Sequence, residues 1–173
     1  MMKRMKKLLL LIGTSVSLLL TGCVKNEIAT FSGAQIEWDA TTWNANAAGL
    51  TYPMMTRVPV YGFATTAAAP LINRTTGTIR LRVNLIGAQA PTDRPFTFRF
   101  NQAESTGAPG THFQAVSGTG TIPANSSFGF VDFVVLNPGV GTGTATAVLE
   151  LTENASFRPA VNYSKVGLSI AQN

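Results

Sequence analysis

Residues 78–85 read TIRLRVNL, and the reading of these eight positions decides the fold. Ile79, Leu81, Val83 and Leu85 occupy every second position, with Arg80, Arg82 and Asn84 between them. In an extended chain successive side chains point to opposite sides, so this alternation describes a strand with one face on a core and the other on solvent. The same period recurs at Phe96, Phe98 and Phe100, and at Val166, Leu168 and Ile170. It recurs again at Ala145, Ala147, Leu149 and Leu151, where Thr144, Thr146, Val148 and Glu150 take the solvent side.

Breakers with a physical mechanism separate these runs. Asn137-Pro138-Gly139 suits a type II turn, because Pro presets φ at the second position and Gly accepts positive φ at the third. Thr92-Asp93-Arg94-Pro95, Ala108-Pro109-Gly110 and residues 73–77 (NRTTG) are further loop signals. Residues 128–136 are long and mostly apolar, but Phe128 and Phe130 are out of phase with Val131, Phe133 and Val135. That phase change predicts a β-bulge near Val131 or Asp132. Gly139, Gly141 and Gly143 lack the strand-before, helix-after context of a dinucleotide loop and read as a hairpin loop. Short strands at close spacing, with no helical period after residue 20, predict an all-β antiparallel sandwich.

Residues 31–77 are less regular. Gln35-Ile36-Glu37-Trp38 reads as a first strand, and Arg57-Val58-Pro59-Val60-Tyr61 as an edge strand limited by its proline. Trp43, Tyr52, Met54 and Met55 lie between them, either closing one end of the core or forming a partner-binding patch.

The beginning of the chain has a different character. Residues 1–7 carry Lys3, Arg4, Lys6 and Lys7 and no acid, and residues 8–20 carry no charge at all. A basic head before a short apolar core is the pattern of a secretory signal, and the run is shorter than the roughly 20 residues that span a membrane. Leu20-Thr21-Gly22-Cys23 closes the run and resembles the lipobox of bacterial lipoproteins, which implies cleavage after Gly22 and a diacylglycerol on the Cys23 sulfur. Cys23 is the only cysteine, so a lipidated mature chain has no disulfide and no cysteine nucleophile. Two or more acyl chains make a stable anchor, at roughly 0.8 kcal/mol per buried CH₂. Val24-Lys25-Asn26-Glu27 then resembles in part the lysine-plus-acid signal that exports Bacteroidota lipoproteins. The expectation is a signal peptide over 1–22, an anchor and linker over 23–30, and one β domain over 31–173, with its regular part over 78–171. The implied location is the outer membrane, lipid-anchored and exposed at the cell surface.

The leader also accounts for most of the charge. The formal net charge is +5, but four of the thirteen Lys and Arg precede the cleavage point, leaving nine against eight acids. The remaining arginines are scattered singly or in alternation, without the basic patch or stripe that a nucleic-acid partner needs. Catalytic constellations are equally sparse. His112 is the only histidine, and near a turn it reads as a local hydrogen-bonding residue. No Gly-x-Ser-x-Gly elbow is present, and zinc has no His/Cys cluster to bind it. Glu37, Asp93, Glu104 and Glu153 offer the carboxylates a glycosidase requires, but so does almost any chain. The Asn-x-Ser/Thr triplets at Asn73, Asn125, Asn154 and Asn162 carry little weight behind a bacterial leader.

Residues 110–136, GTHFQAVSGTGTIPANSSFGFVDFVVL, resemble the Calx-beta pattern, in which a Gly-x-Asp-Tyr corner leads into a strand, a short turn and a second strand. Gly110 and Phe113 match the corner, Ile122-Pro123-Ala124 the approach to the turn, and Val148-Leu149-Glu150-Leu151 the later strand. With RVNLIGAQ from Arg82, TIPANSSFG from Thr121 and NYSKVGLSI from Asn162, the chain resembles Bacteroidota outer-membrane lipoproteins carrying a Calx-beta-like domain. The resemblance implies an immunoglobulin-type sandwich on the cell envelope. Calcium-binding members are acid-rich, whereas here His112 replaces the corner Asp and Asn125 a turn Gly. After the leader only Asp39, Asp93 and Asp132 remain as aspartates. Calcium takes six to eight oxygen ligands, and Glu150, expected to face solvent, and Glu153 do not complete such a set. No metal or cofactor is expected.

The expected function is that of a non-catalytic envelope lipoprotein whose sandwich meets a protein or glycan partner. The alternative is a small surface hydrolase acting on glycans. A solvent-exposed aromatic cluster favours glycan binding, and two convergent carboxylates in a cleft favour hydrolysis.

Overall fold

The computed structural model describes residues 31–39, 48–62, 66–116 and 118–173. Cys23, the lipobox residues Leu20, Thr21 and Gly22, and Trp43 lie outside the described residues. The alternating runs become strands. In chain order these are β1 (Gln35–Trp38), β2 (Met54–Met55), β3 (Thr78–Ile86), β4 (Arg94–Phe100), β5 (Thr119–Ile122), β6 (Phe128–Val134), β7 (Thr144–Thr152), β8 (Arg158–Pro159) and β9 (Lys165–Ala171). One 3₁₀ turn, Gln102–Glu104, follows β4, and the Asn101 side chain accepts the Glu104 N–H at its start.

Hydrogen bonding joins the strands in the order β2-β9-β7-β4-β5-β6-β3-β1-β8. The longer pairings are antiparallel, and the two-residue strands β2 and β8 add parallel edges. The sheet curls over on itself at β5, which pairs with β4 at four positions but with β6 only at Thr121 opposite Phe130. Glycine is required at this corner: a Cβ on Gly120 would overlap the Phe96 ring, and one on Gly129 the Thr121 carbonyl. The result is a sandwich, with β2-β9-β7-β4 in one layer and β6-β3-β1-β8 in the other. Trp38 of β1 meets Phe98 of β4 edge-to-face at 5.9 Å between the layers.

The inward residues read from the alternation form the core. Ile79, Leu81, Val83, Phe96, Phe98, Leu149, Leu151, Val166, Leu168 and Ile170 all belong to it. Phe113, at the corner before β5, is fully buried and lies 5.2 Å from Phe100 and 5.1 Å from Phe133. Each buried aromatic of this size removes a large apolar area from water, about 150–250 Å².

Four local expectations are corrected. β6 contains no bulge: it pairs with β3 without a skip, from Asn84 opposite Phe128 to Thr78 opposite Val134. Gly129 takes the inward place opposite Val83, so Phe128 and Phe130 stand on the outer face in perfect phase. Residues 139–143 are not a hairpin loop, because β4 and β5 lie between β6 and β7 in the sheet. The segment crosses between layers, and is pinned where Gly141 N–H donates to the Gln172 carbonyl (2.9 Å) and Gln172 N–H to that of Gly143 (3.0 Å). Residues 57–61 form no strand; Arg57 makes a single bridge to Leu71, and the short edge strand is 54–55 instead. Pro59 has no N–H with which to continue a ladder. Val148 faces outward yet is fully buried, because it neighbours Gly167 and the Tyr52 and Met54 side chains lie over that glycine.

Candidate binding face

The outer face of β6, β3 and β1 gathers the most unusual surface chemistry among the described residues. Its rows follow from register. Phe128 stands opposite Asn84, which stands opposite Glu37; Phe130 stands opposite Arg82; Asp132 stands opposite Arg80. Aromatic residues on one strand thus meet arginines on the next, within the few ångströms that cross-strand neighbours share.

Tyr61 is laid across this row. Its hydroxyl donates to the Arg80 carbonyl (2.6 Å) and accepts the Arg82 N–H (2.8 Å). It therefore pairs the edge of β3 where β1 has ended and Asp39 N–H has made the last ladder bond, to the Arg82 carbonyl. Burial pushes the phenol pKa well above its usual range, so the hydroxyl keeps its proton. The Tyr61 ring packs on Phe130 at 6.1 Å and 61°, and Phe128 packs on Phe130 at 5.7 Å and 72°.

The guanidinium groups lie over these rings. The Arg82 Cζ is 4.7 Å from the Tyr61 ring centre and 5.4 Å from that of Phe128, and the Arg80 Cζ is 5.2 Å from that of Phe130. Each guanidinium is also charge-paired. Arg82 meets Asp39, whose side chain is 0 % exposed, and Arg80 meets Asp132 at 3.1 Å on the surface. Arg82, expected on a solvent-facing position, is therefore half enclosed. Glu37 lies beside it; burial raises its carboxyl pKa, a hydrogen bond with Asn84 opposes the shift, and the charge of Asp39 adds to it. Phe128 and Phe130 stay 42 % and 37 % exposed, an unusual state for two neighbouring phenylalanines on one sheet face.

The residues singled out in the sequence fall elsewhere. Met55 is buried in the main core, and Tyr52 is buried beside the half-buried Met54, both over Gly167 on the outer face of β7 and β9. Burial and the neighbouring Glu104 push the Tyr52 phenol up to about 12. These three side chains pack the domain and do not form a surface patch. His112 accepts the Ala108 N–H on Nδ1 at 3.0 Å, the local role expected of it. Asp93 accepts the Ala124 N–H, Glu150 pairs with Arg99, Glu153 with Arg158, and Glu104 with Lys165; Glu104 and Glu150 are neighbours, since the Asn101 amide donates to both, at 3.2 and 3.4 Å. Among the described residues no three His, Cys, Asp or Glu side chains are grouped to hold a metal ion.

The sequence itself holds a signal for this face. Aromatics at 128 and 130, out of phase with the inward set, mark an apolar outer row as readily as a bulge. What places them beside Arg80 and Arg82 is the β6–β3 pairing.

No protein-family model and no curated protein sequence matches the chain. Solved structures do resemble it. One is the apo-form Calx CBD1 domain, with a TM-score of 0.53 at 12 % identity, over 80 % of this chain and 98 % of that one. Another is the calcium binding domain CBD12 of CALX1.1, with a TM-score of 0.50 at 16 % identity, over 58 % of this chain and 40 % of that one. At this identity the likeness establishes the fold, a Calx-beta-like β-sandwich.

Proposed function

We propose that this chain is a non-catalytic, lipid-anchored protein of the outer membrane whose sandwich binds a protein partner through the β6–β3–β1 face. One observation carries the reading: exposed Phe128 and Phe130 are interleaved with Arg80 and Arg82, whose guanidiniums already cover the ring faces. A sugar stacks on a free aromatic face, and rings tilted at 61° and 72° offer no flat platform for one. Aromatic residues and arginine are instead the types enriched where proteins meet. Asp93, Glu104, Glu150 and Glu153 are each engaged by a cation or a backbone N–H, which supports binding over hydrolysis.

Site-specific photo-cross-linking in the native envelope tests this. A benzophenone amino acid at position 128 is expected to give a discrete protein adduct, and one at exposed Thr144 on the other layer is not. The same adducts from both positions, or none from 128, sink the reading; a glycosidase-sensitive adduct without protein transfers it to a glycan. The anchor has its own test. Cys23→Ser is expected to abolish incorporation of an alkyne fatty acid and leave the precursor uncleaved, and equal labelling of both proteins removes the lipid from the proposal.

A further inference from the structure

Glu37 is the exception among the charges of the binding face. Its row runs from Phe128 through Asn84 to Glu37, so the carboxylate stands two strand spacings, about 10 Å, from the exposed ring. The other charged side chains of the face have partners of opposite sign. Arg82 meets Asp39, Arg80 meets Asp132 at 3.1 Å, and Arg158, opposite Gln35 on β8, meets Glu153 at 3.4 Å. Among the described residues no lysine or arginine pairs with Glu37, and residues 40–47, 63–65 and 117 carry no charged side chain that could. The Asn84 side chain hydrogen-bonds the carboxylate, while partial burial and the like charge of Asp39, two residues along the same face, oppose its ionisation. Apolar groups also flank Glu37 on the side away from Phe128. β8 ends at Pro159, opposite Ile36, and the chain then swings out between the Ala160 N–H, which donates to the Ile36 carbonyl (2.8 Å), and the Tyr163 carbonyl, which accepts the Trp38 N–H (2.9 Å). Val161 and Tyr163 of that loop are exposed.

The free domain thus carries a half-desolvated negative charge that lowers its own stability, with exposed apolar residues on either side. We infer that Glu37 sets the specificity of this face, and that the protein partner meets it with a lysine or arginine while apolar partner side chains cover Phe128. The inference rests on the protein-binding reading above and deepens it by naming the chemistry of the partner surface. Because Glu37 is already partly desolvated, closing an ion pair over it costs less than burying a fully hydrated carboxylate. Apolar contacts around the pair then exclude water from it. A surface with an acid at that place is repelled, which supplies selectivity. A metal ion is a poorer occupant: calcium takes six to eight oxygens, whereas Asn84 gives Glu37 a hydrogen bond and Arg82 engages Asp39.

The test joins the position-128 photo-cross-link to thermal unfolding of the purified full chain in detergent micelles. Glu37→Gln keeps the size of the side chain and an acceptor for Asn84 but removes the charge. It is expected to lower the yield of the protein adduct at least about fivefold, while the variant melts at the wild-type temperature or above, since the repulsion from Asp39 is gone. Glu37→Lys, which sets a like charge against the partner's cation, is expected to remove the adduct. Glu150→Gln, on the other layer, changes the net charge equally and is expected to leave the yield unchanged. An undiminished adduct in Glu37→Gln or Glu37→Lys overturns the inference and leaves the binding face standing. An equal loss in Glu150→Gln overturns it too, because net charge and not position then governs binding. A lowered melting temperature in Glu37→Gln shows that the carboxylate already supports the fold and likewise overturns it. Absence of any adduct in the chain with native Glu37 removes the protein-binding reading and this inference together.

Discussion

Val83→Asp is expected to unfold the domain or nearly so, whereas Arg80→Asp, three positions away on the same strand, is expected to be tolerated. Val83 is fully buried at the centre of β3, opposite Gly129 on one side and Trp38 on the other. An aspartate there loses the apolar burial of a valine and must either keep a charge without a partner in the core or take up a proton at neutral pH. Either course costs several kcal/mol, about 4 or more, out of a total stability of about 5–15 for a domain of this kind. Arg80 has its side chain 65 % exposed and its partner Asp132 53 % exposed. Replacing it with aspartate removes a solvent-screened pair and adds a like charge beside Asp132, an effect of about 1 kcal/mol or less that fades with added salt. Urea midpoints of the two variants decide the matter. Equal damage from both means that β3 is enclosed on both faces, and the two-layer arrangement fails.

Arg82→Met is expected to cost about 3–5 kcal/mol, although the position lies on the outer face. Its guanidinium meets the Asp39 carboxylate, whose side chain is fully buried, and it packs over the Tyr61 and Phe128 rings. Methionine keeps much of the stem and removes the charge, so Asp39 keeps a desolvated carboxylate without this counter-charge. The double change Arg82→Met with Asp39→Leu is expected to recover most of the loss, since removing a buried pair together costs far less than removing one member. Thermal or urea unfolding of the four proteins in the cycle measures the coupling. A loss below about 1 kcal/mol in Arg82→Met shows the pair to be an ordinary surface contact. The two arginines of β3 thus answer differently although the sequence presents them alike.

That difference shows what was legible before any fold was known. The period of two in residues 78–85, 96–100, 145–151 and 166–170 is a local property, because strand geometry alone sends alternate side chains to opposite faces. It therefore predicted the strands and the inward residues Ile79, Leu81, Val83, Phe96, Phe98, Leu149, Val166 and Leu168, all of which reached the core. The corner resemblance from Gly110 to Leu136 led to the same class of sandwich that the solved structures share. The paucity of histidine, cysteine and clustered acids is likewise a property of composition. What local pattern does not contain is lateral order. A strand's outward residues gain their meaning from the strands beside it and from whatever segment crosses over it. Val148 looked like a solvent position until Tyr52 and Met54 were placed over its neighbour Gly167, and Arg82 until Tyr61 and Asp39 closed around it. The phase of Phe128 and Phe130 fits a bulge as well as an outer row, and only their register against Asn84 and Arg82 places them outside. The binding face is made by the order β6-β3-β1, which joins residues far apart in the chain. Such contacts arise when the whole chain chooses one packing, so tertiary structure alone decided them.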